Sequence, residues 1–455
     1  VSTPVLRPYQ ADAVNALLGS ASGVAVLPTG AGKSLVIADV VRQSAPCLVM
    51  QPSQEILASN VEKIRAFGFN DVAVYSAGAG SKEVAGATYA TIGSVVKGGK
   101  VIPEIMALKP RKIIIDECHL VNPAEGQYAQ LIEQLGCDLN GLTASPYRLH
   151  TISDLNSYMA KGGYYTGKVS DIRLLTRTKP KAFKKIVHVT QSADLVAQGY
   201  LHQPEYIVKG QGTRGDLLLN STGSEYSEAS VIKWFRKGSI KDEIVSTVQR
   251  AMNEGLQRIL VFVPLLKESD ELVRRMQRLG IAADNISGET PKGVREDRIR
   301  GFRSGRIKVM IGVGTLTTGF DMPILDCIIG ARPTMSLSLY YQMIGRCVRP
   351  HPDKKRAVVF DLVDNFARFG DPLQMRVLAT STGLHHIINS GGRLTGRDLA
   401  LGPECEDVID WGQYAGNKLK DLPTDYLQWV VANNKPSEER HTLEAEYQRR
   451  TIFGN

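Results

Sequence analysis

Apolar residues fall in short runs between longer helix-patterned stretches, and this spacing appears twice along the 455-residue chain. Val24–Leu27, Cys47–Gln51, Val72–Tyr75, Lys112–Ile115 and Leu139–Thr143 are runs of strand length. Arg258–Val263, Ala282–Ile286, Lys308–Val313, Cys327–Gly330 and Ala357–Asp361 repeat the style. Strands alternating with helices imply parallel sheets covered by helices. The predicted fold class is α/β, with two parallel-sheet domains in tandem at 1–150 and 241–370.

Residues 151–240 break the pattern. Within 161–185, Lys161, Lys168, Arg173, Arg177, Lys179, Lys181, Lys184 and Lys185 stand against Asp171 alone. Ile172–Thr176 and Ile186–Thr190 read as two strands joined by Arg177–Lys185, a basic β-hairpin insertion. Ser192–Gly199 reads as a helix entering a linker, and Gly210–Ser230 is polar and Gly/Ser-rich. Residues 371–455 form a small C-terminal module, in which Trp411–Asn433 is compact and the charged tail after Lys435 is helical.

Chemistry enters at the end of the first strand. Leu27-Pro28-Thr29-Gly30-Ala31-Gly32-Lys33-Ser34 joins that strand to a helix, which is the context a phosphate-binding loop requires. Gly30 and Gly32 let backbone N–H groups face a polyphosphate, and Pro28, Thr29 and Ala31 complete the cradle. Lys33 would reach the β- and γ-phosphates and Ser34 would hold Mg²⁺. Ile113-Ile114-Ile115-Asp116-Glu117-Cys118-His119 delivers two acids at a strand's carboxyl end, where ligands bind in such sheets. Asp116 would support Mg²⁺, and Glu117 would polarise the attacking water. The cofactors expected from these residues are therefore a nucleoside triphosphate and Mg²⁺. The second domain has no phosphate loop of its own, so one nucleotide site is expected for two domains.

Composition narrows the class. A formal net charge of +9 suits a polyanionic partner. The six cysteines are widely spaced without a Cys-x-x-Cys pair, which argues for a reducing compartment and against a zinc ribbon. No apolar stretch reaches membrane-span length and Val1–Tyr9 shows no signal-peptide pattern, so a cytoplasmic, nucleoid-associated protein is expected.

Asp-Glu-Cys-His is a DExH box, and the chain resembles the superfamily 2 helicases over residues 6–350. Leu6-Arg7-Pro8-Tyr9-Gln10 looks like that family's adenine-reading motif, carried by Arg7 and Gln10. Gly141-Leu142-Thr143-Ala144-Ser145-Pro146 looks like its coupling motif. Gly314–Asp321 and Tyr341–Arg349 look like the two signature motifs of its second domain. The resemblance implies ATP contacts from Gly319 and Asp321, coupling through His119, Thr143 and Ser145, and catalysis by Glu117 with Gln342, Arg346 and Arg349. The two arginines, three apart, would share one helix face and act as arginine fingers. The wording is closest to RadD-like and phage UvsW-type branch-migration helicases. The segment Trp411–Trp429 resembles a small exonuclease-associated module, with Trp411, Tyr414, Tyr426 and Trp429 as its miniature core.

Family order also nominates phosphate-gripping DNA contacts that read no bases: Pro52, Ser53 and Gln54, then Thr91, then Ser287, Gly288 and Thr290, and Thr317. In the basic insertion, Arg177, Lys179, Lys181, Lys184 and Lys185 would grip DNA, with Tyr164, Tyr165 and Phe183 as stacking faces. The function expected is an ATP-dependent DNA helicase that unwinds or branch-migrates forks and junctions, monomeric on DNA. The alternatives are a duplex translocase or remodeller without strand separation, an RNA helicase, and a nucleotide-switched binding protein.

Overall fold

The computed structural model describes residues 4–152, 169–209, 217–221, 224–237, 239–313, 322–379, 385–389, 392–393, 413–433 and 438–453. The chain divides into two units, Val1–Arg148 with Arg173–Gln191, and Leu149–Ile172 with Ser192–Asn455.

The first unit is built on β1 (Ser22–Val26), β2 (Cys47–Gln51), β3 (Val72–Ser76), β4 (Ser81–Lys82) and β5 (Ala87–Thr91). A small antiparallel ribbon follows, β6 (Val96–Lys97) with β7 (Lys100–Val101), then β8 (Lys112–Asp116) and β9 (Asp138–Thr143). β10 (Tyr147–Ile152) pairs with β11 (Val169–Leu174), and β12 (Lys185–Val189) returns to the main sheet. That eight-stranded sheet runs β12-β1-β9-β8-β2-β5-β3-β4 and is parallel except for the β3–β4 pair. Helices α1 (Pro8–Leu18), α2 (Lys33–Ser44), α3 (Gln54–Ala66), α4 (Ile92–Val95), α5 (Pro103–Leu108) and α6 (Gln127–Leu135) are threaded between the strands. The central strands bury every residue because both faces are covered, so β2 and β8 carry continuous rather than alternating apolar runs.

Lys112 is the exception within β8. It is 4 % exposed, and its ammonium donates to the Leu17 and Ser20 carbonyls at 3.1 and 3.0 Å and to Asn140 Oδ1 at 2.6 Å. Asn140 Nδ2 in turn donates to the Ser20 carbonyl at 3.1 Å. One buried cation thus ties the end of α1 to β8 and β9.

The expected basic hairpin is not formed. Residues 169–174 pair with β10, whereas β12 lies parallel to β1 at the edge of the large sheet, Gly23 opposite Lys185 and Val26 opposite Val189. Gly23 makes that approach possible, because a Cβ there would stand 2.6 Å from Val187 Cγ1. The connecting basic segment is fastened down: Ser22 Oγ donates to the Ala182 carbonyl at 3.3 Å and accepts from Lys184 N at 3.2 Å. Phe183, expected as a stacking face, is 1 % exposed, and a Cβ on Gly141 would lie 2.9 Å from its Cε1. Apolar burial and a free sheet edge outweighed local hairpin pairing. Tyr164 and Tyr165 lie outside the described residues.

The second unit holds β13 (Glu205–Val208), β14 (Ile259–Phe262), β15 (Ala283–Ile286), β16 (Val309–Gly312), β17 (Cys327–Gly330) and β18 (Val358–Asp361). They form a fully parallel sheet in the order β13-β18-β17-β14-β16-β15, over a core that includes Phe235, Ile244, Val261, Leu272 and Phe360. The edge strand β13 belongs to the stretch read as linker. Both RecA-like domains are therefore present in tandem. Beyond them, β19 (Arg376–Ala379), β20 (His385–Asn389) and β21 (Gly392–Arg393) form an antiparallel sheet, followed by helices Thr424–Asn433 and Glu438–Phe453. Leu419, Leu422, Leu427, Val430 and Leu443 make the small core of this end, with Tyr414 and Tyr426 packed against it. Trp429 is 55 % exposed, so it is not part of that core as expected. Trp411 lies outside the described residues.

The burial of Phe183 is directly testable. Phe183→Ala should cost about 3–5 kcal/mol in denaturant unfolding, against under about 0.5 for the exposed Lys181→Ala. A neutral Phe183→Ala would mean that this segment is not packed on the sheet.

Candidate nucleotide site

β1 runs buried into Leu27, and the chain turns through Pro28–Gly32 before α2 starts at Lys33. Gly30 and Gly32 have φ of 90° and 80°, a left-handed conformation open to glycine without steric cost. Gly32 has a second reason to lack a side chain, since a Cβ there would stand 2.5 Å from Gln10 Nε2. That amide nitrogen donates to the Ala31 carbonyl at 2.8 Å, and Gln10 Oε1 accepts from Arg7 N at 2.9 Å. Tyr9 Oη donates to the same Ala31 carbonyl at 3.0 Å. The Arg7–Gln10 turn therefore buttresses the phosphate loop. Each end of the Gln10 amide retains a second hydrogen-bonding position.

Two strands away, β8 delivers the acids. Glu117 has φ of 50°, a conformation rare outside glycine, and this turn ends the strand at the acidic pair. Glu117 Oε1 lies 3.5 Å from Lys33 Nζ, and Asp116 Oδ1 accepts from Glu117 N at 3.0 Å. Burial, and then the neighbouring Glu117 charge, push the Asp116 carboxyl above the usual carboxylate range, against the pull of Lys33 and Lys63. Lys63 reaches in from α3 and donates to Ser34 Oγ at 2.7 Å. Two acids and two lysines thus meet at the mouth of the loop.

His119 connects this group to β9. Its Nδ1 lies 2.9 Å from Thr143 Oγ1 and 3.4 Å from Glu117 Oε2. Thr143 Oγ1 accepts from Ser145 N at 2.9 Å and donates to the Ser145 carbonyl at 3.2 Å. The Thr143 hydroxyl proton can face the Ser145 carbonyl or His119 Nδ1, so the bond between ring and hydroxyl forms with either imidazole tautomer. Burial lowers the His119 pKa, with Glu117 opposing, so the ring is neutral at pH 7. A continuous polar chain runs Glu117–His119–Thr143–Ser145.

The residues fit a magnesium nucleotide. Glycine-shaped backbone at a helix N-terminus and Lys33 suit a polyphosphate, and the Ser34 hydroxyl and Asp116 carboxylate are the hard oxygen donors Mg²⁺ takes. Among the described residues no group of three or more His, Cys, Asp or Glu side chains is arranged to hold a metal ion by itself. Phosphate and water would therefore complete the coordination.

The remaining candidates distribute as follows. Ser53 precedes α3, which begins at Gln54, and a Cβ on Gly78 would meet Gln54 Oε1 at 2.0 Å. Thr91 Oγ1 sits 3.1 Å from Ser76 Oγ and 3.0 Å from Ser94 Oγ, and Gln51 and Thr91 are register partners. Pro52–Gln54 and Thr91 therefore share one rim of the first sheet. Lys179, Lys181, Lys184 and Lys185 are exposed, and Arg177 ends a 3₁₀ turn. In the second unit, Ser287 N donates to Thr290 Oγ1 at 3.0 Å and Glu289 N to Ser287 Oγ at 3.2 Å, a turn spanning Gly288. Thr317, Gly319 and Asp321 lie outside the described residues.

Gln342 is half-buried on the helix Leu337–Ile344, which ends at Gly345. Arg346 and Arg349 follow it in a turn, so they do not share a helix face as expected. A lysine the sequence did not single out shapes that turn. Lys354 Nζ donates to the carbonyls of Cys347 at 2.7 Å, Pro323 at 3.1 Å and Leu325 at 3.2 Å, and also to that of Arg349. Burial brings its pKa down to about 8. No spacing in the sequence marks Lys354 or Lys63; only the folded chain gives them partners.

Thr143 is 0 % exposed, so Thr143→Val should strand the Ser145 N–H and cost about 1–3 kcal/mol in thermal or chemical denaturation, with Thr143→Ser restoring most of it. Equal stability of the valine variant would show that the hydroxyl bridge is not formed.

Comparison with known proteins matches both RecA-like domains. Residues 3–148 match the family "Type III restriction enzyme, res subunit", and residues 241–351 match "Helicase conserved C-terminal domain". The candidate ATP-dependent helicase IRC3 of Saccharomyces cerevisiae is 24 % identical over 382 residues, covering 80 % of this chain and 52 % of that protein. The DNA 3'-5' translocase XPB2 of Sulfurisphaera tokodaii is 25 % identical over 375 residues, covering 79 % and 81 %. Other relatives are named ATP-dependent RNA helicases. The chain spans about half to two thirds of the length of IRC3 and the relatives that match alongside it. In fold, it resembles the DNA-bound Type ISP restriction-modification enzyme LlaBIII at a TM-score of 0.54 and 13 % identity, over 79 % of this chain and 28 % of that one. Two RecA-like sheets, a loop with its paired acids, and these two matched domains make the chain a superfamily 2 helicase-like protein.

Proposed function

We propose that the chain is an ATP-driven motor that translocates on or remodels duplex DNA without needing to separate its strands. The observation that carries this reading over fork unwinding is the fate of residues 172–190. The hairpin that would have split a fork is instead an edge strand and a fastened connection on the first sheet. Support also comes from the restriction-enzyme family matched by the first domain and from the relative named a DNA translocase. The exposed Lys179, Lys181, Lys184 and Lys185 would then hold phosphate along a duplex, together with the rim of Pro52, Ser53, Gln54 and Thr91 and the Ser287–Thr290 turn. Branch migration of forks and junctions remains one outcome such a motor would produce.

Hydrolysis is assigned to the first unit's acids. Glu117, held by Lys33 and flanked by His119, would orient and polarise water at the γ-phosphate. Lys33 would transfer from Glu117 to phosphate oxygens on nucleotide binding, releasing the carboxylate for that role. Mg²⁺, carried by Ser34 and Asp116, would supply charge neutralisation at the phosphates. Arg7 and Gln10 would face the base, the latter through its remaining amide positions. Arg346 and Arg349 would contribute transition-state charge, positioned by the carbonyl staple of Lys354. His119, Thr143 and Ser145 would relay the state of the γ-phosphate to the nucleic-acid rim.

A second reading, RNA helicase, is favoured by the relatives carrying that name. ATPase assays with duplex DNA, single strands, forks and RNA, beside displacement of a third strand from triplex DNA, separate the two. Duplex DNA should stimulate turnover most, and triplex displacement should proceed on substrates without forks. Greatest stimulation by RNA would overturn the duplex reading. Lys33→Ala should lower turnover at least ~10²-fold, and retained ATPase would remove the loop from the mechanism. Phosphate-dominated binding should weaken on the order of a thousand-fold between about 50 and 200 mM salt, measured by anisotropy of labelled duplex.

A further inference from the structure

Lys63 has no place in the chemistry expected from the sequence, yet it occupies the most demanding position in the site. Ser34 Oγ and the Asp116 carboxyl are the two protein groups that would hold Mg²⁺. The Lys63 ammonium donates to the first at 2.7 Å, and its charge acts on the second. Lys33, the lysine of the loop, is turned toward Glu117 instead. A Mg²⁺ ion binds oxygen at about 2.0–2.1 Å. On the same hydroxyl it would stand beside an ammonium of like sign in a partly buried setting, where such repulsion is poorly screened. The two cations therefore compete for one place.

We propose that Lys63 is a tethered stand-in for the metal, which fills the Ser34–Asp116 position in the nucleotide-free protein and is displaced when Mg²⁺ arrives with the nucleotide. This rests on reading Leu27–Ser34 as the nucleotide loop. Three features make α3 suited to the task. Its helix begins right after β2, beside the phosphate loop's own sheet, and α2 packs against it. Lys63 lies on the third turn of a 13-residue helix, so its stem starts from rigid backbone. Its side chain is half-buried, which leaves the ammonium room to swing away from Ser34. The consequence is thermodynamic. Without metal, a nucleotide meets two lysines; with metal, it meets Lys33 and Mg²⁺ after Lys63 has moved aside. Lys63 thus narrows the difference in affinity between metal-free and metal-bound nucleotide.

The test measures binding of a fluorescent ADP analogue to the full chain by anisotropy, once in EDTA and once in saturating Mg²⁺. In Lys63→Met, the ratio of Kd in EDTA to Kd in Mg²⁺ should rise about tenfold over wild type, because only the metal-free complex loses a cation. The Mg²⁺ concentration for half-maximal tightening should fall in parallel. Lys63→Gln, which keeps a donor to Ser34 but no charge, should behave as Lys63→Met and guards against a packing defect in the latter. Lys63→Arg, which keeps the charge, should retain the wild-type ratio. An unchanged ratio in both uncharged variants, with wild type binding normally, overturns the proposal alone. Failure of wild type to bind the analogue in either condition overturns the loop assignment and this inference with it.

Discussion

Three parallel strands that end level with one another are the constraint on which the nucleotide site depends. β1, β9 and β8 are adjacent, with Val26 opposite Thr143 and Asp116 opposite Leu142. This register places the phosphate loop, the Thr143–Ser145 turn and the acidic pair on a single carboxyl edge. A slip of one residue would turn each of these side chains to the other face of the sheet. Lys112 secures the opposite end of the same strands, tying the β8 and β9 starts to the loop before β1. Its cost in desolvation, seen in a lowered pKa, is offset by three strong acceptors.

Buried lysines recur as organisers. Lys112 gathers carbonyls and an amide at the base of the first sheet, and Lys354 gathers four carbonyls around the arginine turn of the second unit. Both use an ammonium's three donors, and its freedom of direction, to close irregular backbone that no strand or helix would satisfy. Lys33 and Lys63 differ, since their partners are the acids and hydroxyl expected to work on the nucleotide. The same residue type therefore serves as a fixed bolt where its partners are backbone carbonyls and a buried amide, and as a movable charge where partners are reactive.

Much of this was legible in the chain. Cys47–Gln51 and Cys327–Gly330 are strands with the bounds the apolar runs suggested, because fully buried parallel strands advertise themselves by continuous apolarity. Gly30, Gly32, Lys33, Asp116 and Glu117 were visible because phosphate chemistry restricts which residues can stand at those places. Residues 172–190 misled for a physical reason. Two β-prone runs around a basic, proline-containing stretch are the local signature of a hairpin, and the deciding partner, β1, is some 160 residues away in sequence. Likewise, Arg346 and Arg349 read as helical by spacing, but Lys354 draws the Cys347 and Arg349 carbonyls out of any helical ladder.

What the sequence determined by itself was therefore the type of each element and the inventory of reactive groups, since periodicity, glycine placement and charged residues at strand ends are local properties. Tertiary structure decided which strand neighbours which, where the basic segment lies, and which cation meets which anion. Those are contests between distant groups for the same edge, the same cavity or the same lone pair. Lys63 on Ser34, Phe183 over Gly141 and Lys354 among four carbonyls were settled only when the sheets brought them together.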